Sequence, residues 1–127
     1  MRTPDPRRVA RGGAARETGR AAEVIAAVWL MAKGYQILGF RLRLPQGEID
    51  LLARRGRTLA IVEVKARPTL ADCVDAVTPR QRERLRAAAA AVTRGRSRLA
   101  ALTPRLDLFA LSPGARPRHI ADAWRGD

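Results

Sequence analysis

Gly47-Glu48-Ile49-Asp50-Leu51-Leu52 and Ala60-Ile61-Val62-Glu63-Val64-Lys65, with Arg54-Arg55-Gly56-Arg57 between them, decide how this 127-residue chain folds. Both stretches are apolar enough for buried strands, and the glycine among arginines marks a turn, so together they predict an antiparallel hairpin. Side chains alternate along a strand. Glu48 and Asp50 are therefore expected on one face with Ile49 and Leu51 on the other, and Glu63 and Lys65 on a face opposite Val62 and Val64. A four-residue loop, Arg55 to Thr58, sets Asp50 across from Glu63 and Glu48 across from Lys65. A slip of one residue would part these groups, so the expectation rests on register.

Working outward, a helix is expected from about Thr18 to Lys33, where Ala22, Ile25, Ala26, Trp29 and Leu30 recur at helical spacing as one buried stripe. Gly34 stands where a left-handed cap ends a helix. Tyr35 to Leu44 reads as a first strand that turns through Pro45-Gln46-Gly47 into Glu48 to Ala53, and Leu59 to Ala66 reads as the third strand. Pro68 to Val77 is a loop with room for one helical turn. Thr78-Pro79-Arg80-Gln81 is a helix start, with a threonine cap, a proline in the first turn and a glutamine that reaches back. That helix runs to about Thr93, with Gly95 at its end. Leu102 to Leu111 and Arg118 to Trp124 complete the strands. The order is that of one α/β layered domain over residues 17–127, preceded by a flexible basic arm over residues 1–16.

Composition narrows the partners. Twenty-five Lys and Arg against 12 Asp and Glu give a net charge of +13, which points to a polyanion, most simply nucleic acid. No basic helix here has a strong opposing apolar face, so no membrane partner is expected. Aromatic content of 4% argues against a binder that stacks single-stranded bases. No apolar run reaches the length of a membrane span, the first 20 residues lack the apolar stretch of a signal peptide, and Cys73 is the single cysteine; a reducing cytoplasm is the expected setting. One cysteine and one histidine, His119, make no zinc cluster.

Only Lys33 and Lys65 among the basic residues are lysines, so an amine at position 65 is not simply the charge this composition supplies. Asp50, then twelve residues, then Glu63-x-Lys65 is the layout of a magnesium-dependent phosphodiesterase site. Like charges directly opposite in a sheet repel, and a divalent cation removes that penalty. Oxygen ligands suit Mg2+ or Mn2+. The expected shell is Asp50, Glu63, the Val64 carbonyl, waters and a phosphate oxygen, with Lys65 beside the attacking water. Glu23 on the first helix is placed to hold a metal-bound water or a second ion. Glu48 is expected to pair with Lys65 instead of binding metal. The competing explanation is a surface hairpin whose carboxylates pair with arginines. His119 is read as a surface residue of the last strand, Asp107 as a partner for Arg105 or for an arginine of the arm, and Gln81 and Arg84 as capping and solvated residues before phosphate contacts.

These pieces together resemble the YraN family of uncharacterised bacterial proteins and, more distantly, archaeal Holliday junction resolvases. The matching residues are Glu23, Gly34-Tyr35-x-Ile37-Leu38, Arg43, Gly47-Glu48-Ile49-Asp50-Leu51, Val62-Glu63-Val64-Lys65-x-Arg67, Ala76-Val77-Thr78-Pro79, Leu85 and Arg105-Leu106-Asp107. The resemblance implies a restriction-endonuclease-like fold, a mixed four- to five-stranded sheet between helices. It also implies a PD-(D/E)xK nuclease site at Asp50, Glu63 and Lys65, with Glu23 accessory. Arg41 stands where the family commonly has asparagine and Arg80 where lysine is usual, and the loop from Pro68 to Val74 lacks a typical Phe-Gly.

The sequence therefore predicts a Mg2+- or Mn2+-dependent endonuclease, with DNA favoured over RNA and branched DNA as one candidate substrate. Arg43, Arg67, Arg82, Arg84 and Arg86 are the expected nucleic-acid contacts, backbone contacts with little base specificity. Cutting two strands calls for two sites, which a homodimer would supply. The rival expectations are a non-catalytic nucleic-acid-binding protein that keeps the nuclease fold, and an adaptor that docks a protein partner.

Overall fold

A computed structural model describes residues 6–125, with side chains from Gly19 onward. Five strands form one mixed sheet in sequence order: β1 (Gln36–Leu44), β2 (Gly47–Arg55), β3 (Thr58–Ala66), β4 (Thr103–Leu111) and β5 (Arg118–Ile120). β1, β2 and β3 are an antiparallel meander, β4 runs parallel to β3, and β5 returns antiparallel to β4. A parallel neighbour needs a crossover. It is made by α2 (Leu70–Asp75) and α3 (Pro79–Gly95), while α1 (Pro6–Ala32) leads into the meander.

Alternation along β3 builds two cores, one on each face of the sheet. Leu59 and Ile61 pack with Leu85, Ala88, Ala89 and Val92 of α3. Ala60 and Val62 pack with Ala26, Ala27 and Leu30 of α1. Helices thus cover both faces, which is the layered α/β architecture expected.

The capping signals act as read. Thr78 accepts from the Gln81 amide at 3.2 Å and the Gln81 side chain accepts from the Thr78 amide at 3.0 Å. Gly34, at φ +91°, closes α1, and the Tyr35 amide reaches back to the Leu30 carbonyl at 3.0 Å.

Several expectations are corrected. Helical backbone begins at Pro6, well before Thr18, and takes in most of the stretch expected as an arm; proline in the first turn and the arginine- and alanine-rich run after it favour helix. Residues 1–5 lie outside the described residues. Ile25 and Trp29 are exposed, and the buried stripe of α1 is instead Ala22, Ala26, Ala27 and Leu30. Small residues let the helix lie close to the sheet, so the buried face is narrower than a five-residue stripe would make it. Gly56 at φ +59° allows a two-residue turn, Gly56-Arg57, so Arg55 and Thr58 pair in place of a four-residue loop. β5 stops at Ile120, and Trp124 folds back as a buried side chain of the α3-side core.

Candidate active site

β2 and β3 are paired from Arg55↔Thr58 to Leu51↔Val62, and the pairing stops there. The next step in that register belongs to Asp50 and Glu63. The Asp50 carboxylate takes the Val64 amide as its donor, Oδ2 to N at 2.9 Å. The strict alternation expected of β2 also breaks here. Ile49 packs in the α3-side core and Leu51 in the α1-side core, two residues apart yet on opposite faces. Asp50 is the residue at the break. It lines a cleft on each side of the sheet, and so does Glu63.

On the α1 side, Asp50 and Glu63 share a cleft of about 390 Å³ with Glu23, Lys65 and Arg67. On the α3 side they share one of about 210 Å³ with Glu48, Gln81, Arg84 and Gly47. The four residues expected to converge, Asp50, Glu63, Lys65 and Glu23, therefore meet at one place.

Electrostatics follow from this crowding. Burial pushes the Glu63 carboxyl up to about 7, with the Asp50 charge adding to the effect and Lys65 opposing it. Burial raises Asp50 as well, against the pull of the Val64 amide and of Lys65. The charge of Asp50 thus resists the ionisation of Glu63 beside it. Lys65 Nζ lies 3.2 Å from Glu63 Oε1, both side chains largely buried.

The pairings differ from expectation in three places. Glu48 lies 3.9 Å from Arg43, at an exposed position, and not beside Lys65, because the paired ladder ends before it reaches them. Glu23 is held by Arg41, Nη2 to Oε2 at 2.7 Å and Nε to Oε1 at 3.1 Å, a contact the sequence reading missed. Among the described residues no three His, Cys, Asp or Glu side chains converge as a ready-made metal cluster. The carboxylates left for a cation are Asp50 and Glu63. Two hard oxygen donors in a cleft open to water suit an ion that keeps several of its waters, as Mg2+ and Mn2+ do.

The expected arginines divide. Arg67 and Arg84 line the two clefts, and Arg43 is exposed near Glu48. Arg82 lies over the Trp124 ring at 5.9 Å, and Arg86 donates to the Trp124 carbonyl at 3.4 Å. Residues four apart share a helix face and those two apart do not, so Arg82 and Arg86 turn to the C-terminal segment while Arg84 turns to the site.

Away from the clefts, Asp107 is fully buried on β4. Arg105 grips it through two bonds of 2.8 and 2.7 Å, His119 Nε2 lies 2.8 Å away, and the Asp122 amide donates at 3.0 Å. The Asp107–Arg105 pairing is as expected. His119 is a correction: its side chain is only 3% exposed, because the short β5 presses it against Asp107 and the Tyr35 ring.

Residues 22–111 match the profile of Uncharacterised protein family UPF0102. The chain is 63% identical over 119 residues to a UPF0102 protein of Caulobacter vibrioides, covering 94% of this chain and 95% of that one. It is 47% identical to a UPF0102 protein of Paramagnetospirillum magneticum, covering 90% and 92%. The chain belongs to UPF0102, the YraN family. Within this UPF0102 chain, the matched span takes in Glu23, Asp50, Glu63, Lys65 and both cleft arginines, and no residue before 22. Among the described residues no helix is long and apolar enough to cross a membrane.

Proposed function

We propose that this UPF0102 protein is a metal-dependent nuclease of the PD-(D/E)xK type, hydrolysing phosphodiester bonds of DNA, with branched or otherwise structured DNA as the candidate substrate. The observation that carries the reading is the convergence of Asp50 and Glu63 where strand pairing stops, with the Lys65 amine 3.2 Å from Glu63. A mixed five-stranded sheet between α1 and α3 is compatible with the restriction-endonuclease-like fold that this reading requires.

Asp50 and Glu63 would hold Mg2+ or Mn2+, which would supply Lewis acidity toward the scissile phosphate and a water. Asp50, steadied by the Val64 amide, and Glu63 supply the negative charge that holds the ion. The Val64 carbonyl is a further donor. Lys65 orients the attacking water and offsets charge that develops on the phosphate oxygens. Arg67 and Arg84, on opposite sides of the carboxylate pair, are placed to hold phosphates on either side of the one that is cut. Cutting both strands of a branched substrate needs two such sites, hence a homodimer. The single buried Cys73 suits a reducing cytoplasm.

A non-catalytic nucleic-acid-binding role is the second reading, favoured by the Arg41–Glu23 pair, which leaves two carboxylates in place of three. Incubation with labelled duplex, single-stranded, flap and four-way DNA in the presence of Mn2+ separates the two. Cleavage lost in Asp50→Ala, Glu63→Ala and Lys65→Ala, with DNA binding retained, supports the nuclease. Binding without cleavage of any substrate supports the second reading.

A further inference from the structure

In β1, pairing with β2 passes from Phe40↔Leu51 to Leu42↔Ile49, and the step between belongs to Arg41 and Asp50. Arg41 has φ +48°, a left-handed conformation that L residues other than Asn and Asp rarely adopt, and here it falls inside a strand. Its planar guanidinium is matched to Glu23 through two bonds, the geometry arginine makes with a carboxylate and a lysine cannot. The Glu23 side chain, 13% exposed, lines the α1-side cleft, and the Arg41 side chain that holds it is 38% exposed. Besides Glu23, the charges of Glu48 and Asp50 also act on this guanidinium.

Charge at the cleft then balances in a particular way. Glu23, Asp50 and Glu63 meet Arg41, Lys65 and Arg67, so three carboxylates face three cations when all are ionised. One divalent ion and one phosphodiester anion then leave the cleft with a single net positive charge, which a second divalent ion would raise further. A second divalent ion would have to take Glu23 from a guanidinium that cannot lose its proton.

We propose, resting on the nuclease reading, that Arg41 is a positioning residue standing in for a second cation. It keeps Glu23 off the metal and limits the cleft to one divalent ion per chain.

The test is titration of the full-length protein with Mn2+ alone at about pH 8, counting bound ions from the loss of the free-ion electron paramagnetic resonance signal. Asparagine tolerates the left-handed backbone, so Arg41→Asn removes the cation at little backbone cost. The wild type is expected to hold one ion, R41N two, and R41N/E23Q one again. Two ions on the wild type, or one on R41N, would overturn the role of Arg41 and leave the nuclease reading standing. No ion on any of these proteins would overturn both. Should R41N not fold, Glu23→Gln decides. Unchanged stoichiometry and affinity support the proposal, whereas a loss of roughly tenfold or more would put Glu23 on the ion and overturn it.

Discussion

The Val64 amide donates to Asp50 Oδ2 at 2.9 Å, just beyond Leu51↔Val62, the last paired residues of β2 and β3. A side chain thus takes up a backbone donor where the two strands part, and that bond fixes the carboxylate in the gap beside Glu63. Local strand geometry and the chemistry of the cleft are one arrangement. It also explains why Asp50 faces both clefts although strand side chains normally face one.

Glu63 gives stability a pH dependence between acid and neutral pH. Its carboxyl ionises near 4.5 when unfolded and at about 7 when folded. The folded state therefore holds the extra proton between these values, and stability falls as pH rises through that window. Glu63→Gln removes the penalty. Urea melts should show it more stable than wild type by roughly 2–3 kcal/mol at about pH 8, with no such gain at about pH 4.

Asp107 should matter for stability and not for metal binding. Burial opposes its charge, but Arg105, His119 and the Asp122 amide together hold its pKa below the ordinary carboxylate range. Its contribution is present above the unfolded value of 3.8 and is lost as pH falls through the lower folded value. Asp107→Ala leaves Arg105 without that partner and should cost about 3–5 kcal/mol in denaturant melts at neutral pH. Mn2+ affinity of the folded variant should be unaltered.

Arg84 and Arg82, two residues apart on α3, should behave differently. Arg84→Ala is expected to weaken DNA binding and reduce the slope of log affinity against log salt by about 1, read by fluorescence anisotropy. Arg82→Ala, which loses its contact with Trp124, should instead lower stability by about 1 kcal/mol and leave the salt slope unchanged.

The hairpin, the capped third helix and the meeting of Asp50, Glu63 and Lys65 were legible because each follows from local periodicity and one register. The Gly56-Arg57 turn and the four-residue loop preserve the same register, so the wrong loop still brought Asp50 near Glu63, though not Glu48 to Lys65. What escaped the sequence depends on departures from ideal geometry. The face switch at Asp50 and the left-handed Arg41 leave no period to read, and the Arg41–Glu23 pair spans two elements. His119 was misplaced for a similar reason, since its burial comes from Asp107 and Tyr35, distant in sequence.

Calorimetric titration of Mn2+ into the wild type and Asp50→Asn tests the central claim most directly. Asparagine keeps an oxygen for the Val64 amide but removes the charge. The wild type should bind, losing about tenfold in affinity per pH unit below about 7 as Glu63 takes up its proton, and Asp50→Asn should lose roughly a hundredfold at about pH 8. Equal affinity in the two proteins, or no binding by the wild type at that pH, would contradict a metal site between Asp50 and Glu63.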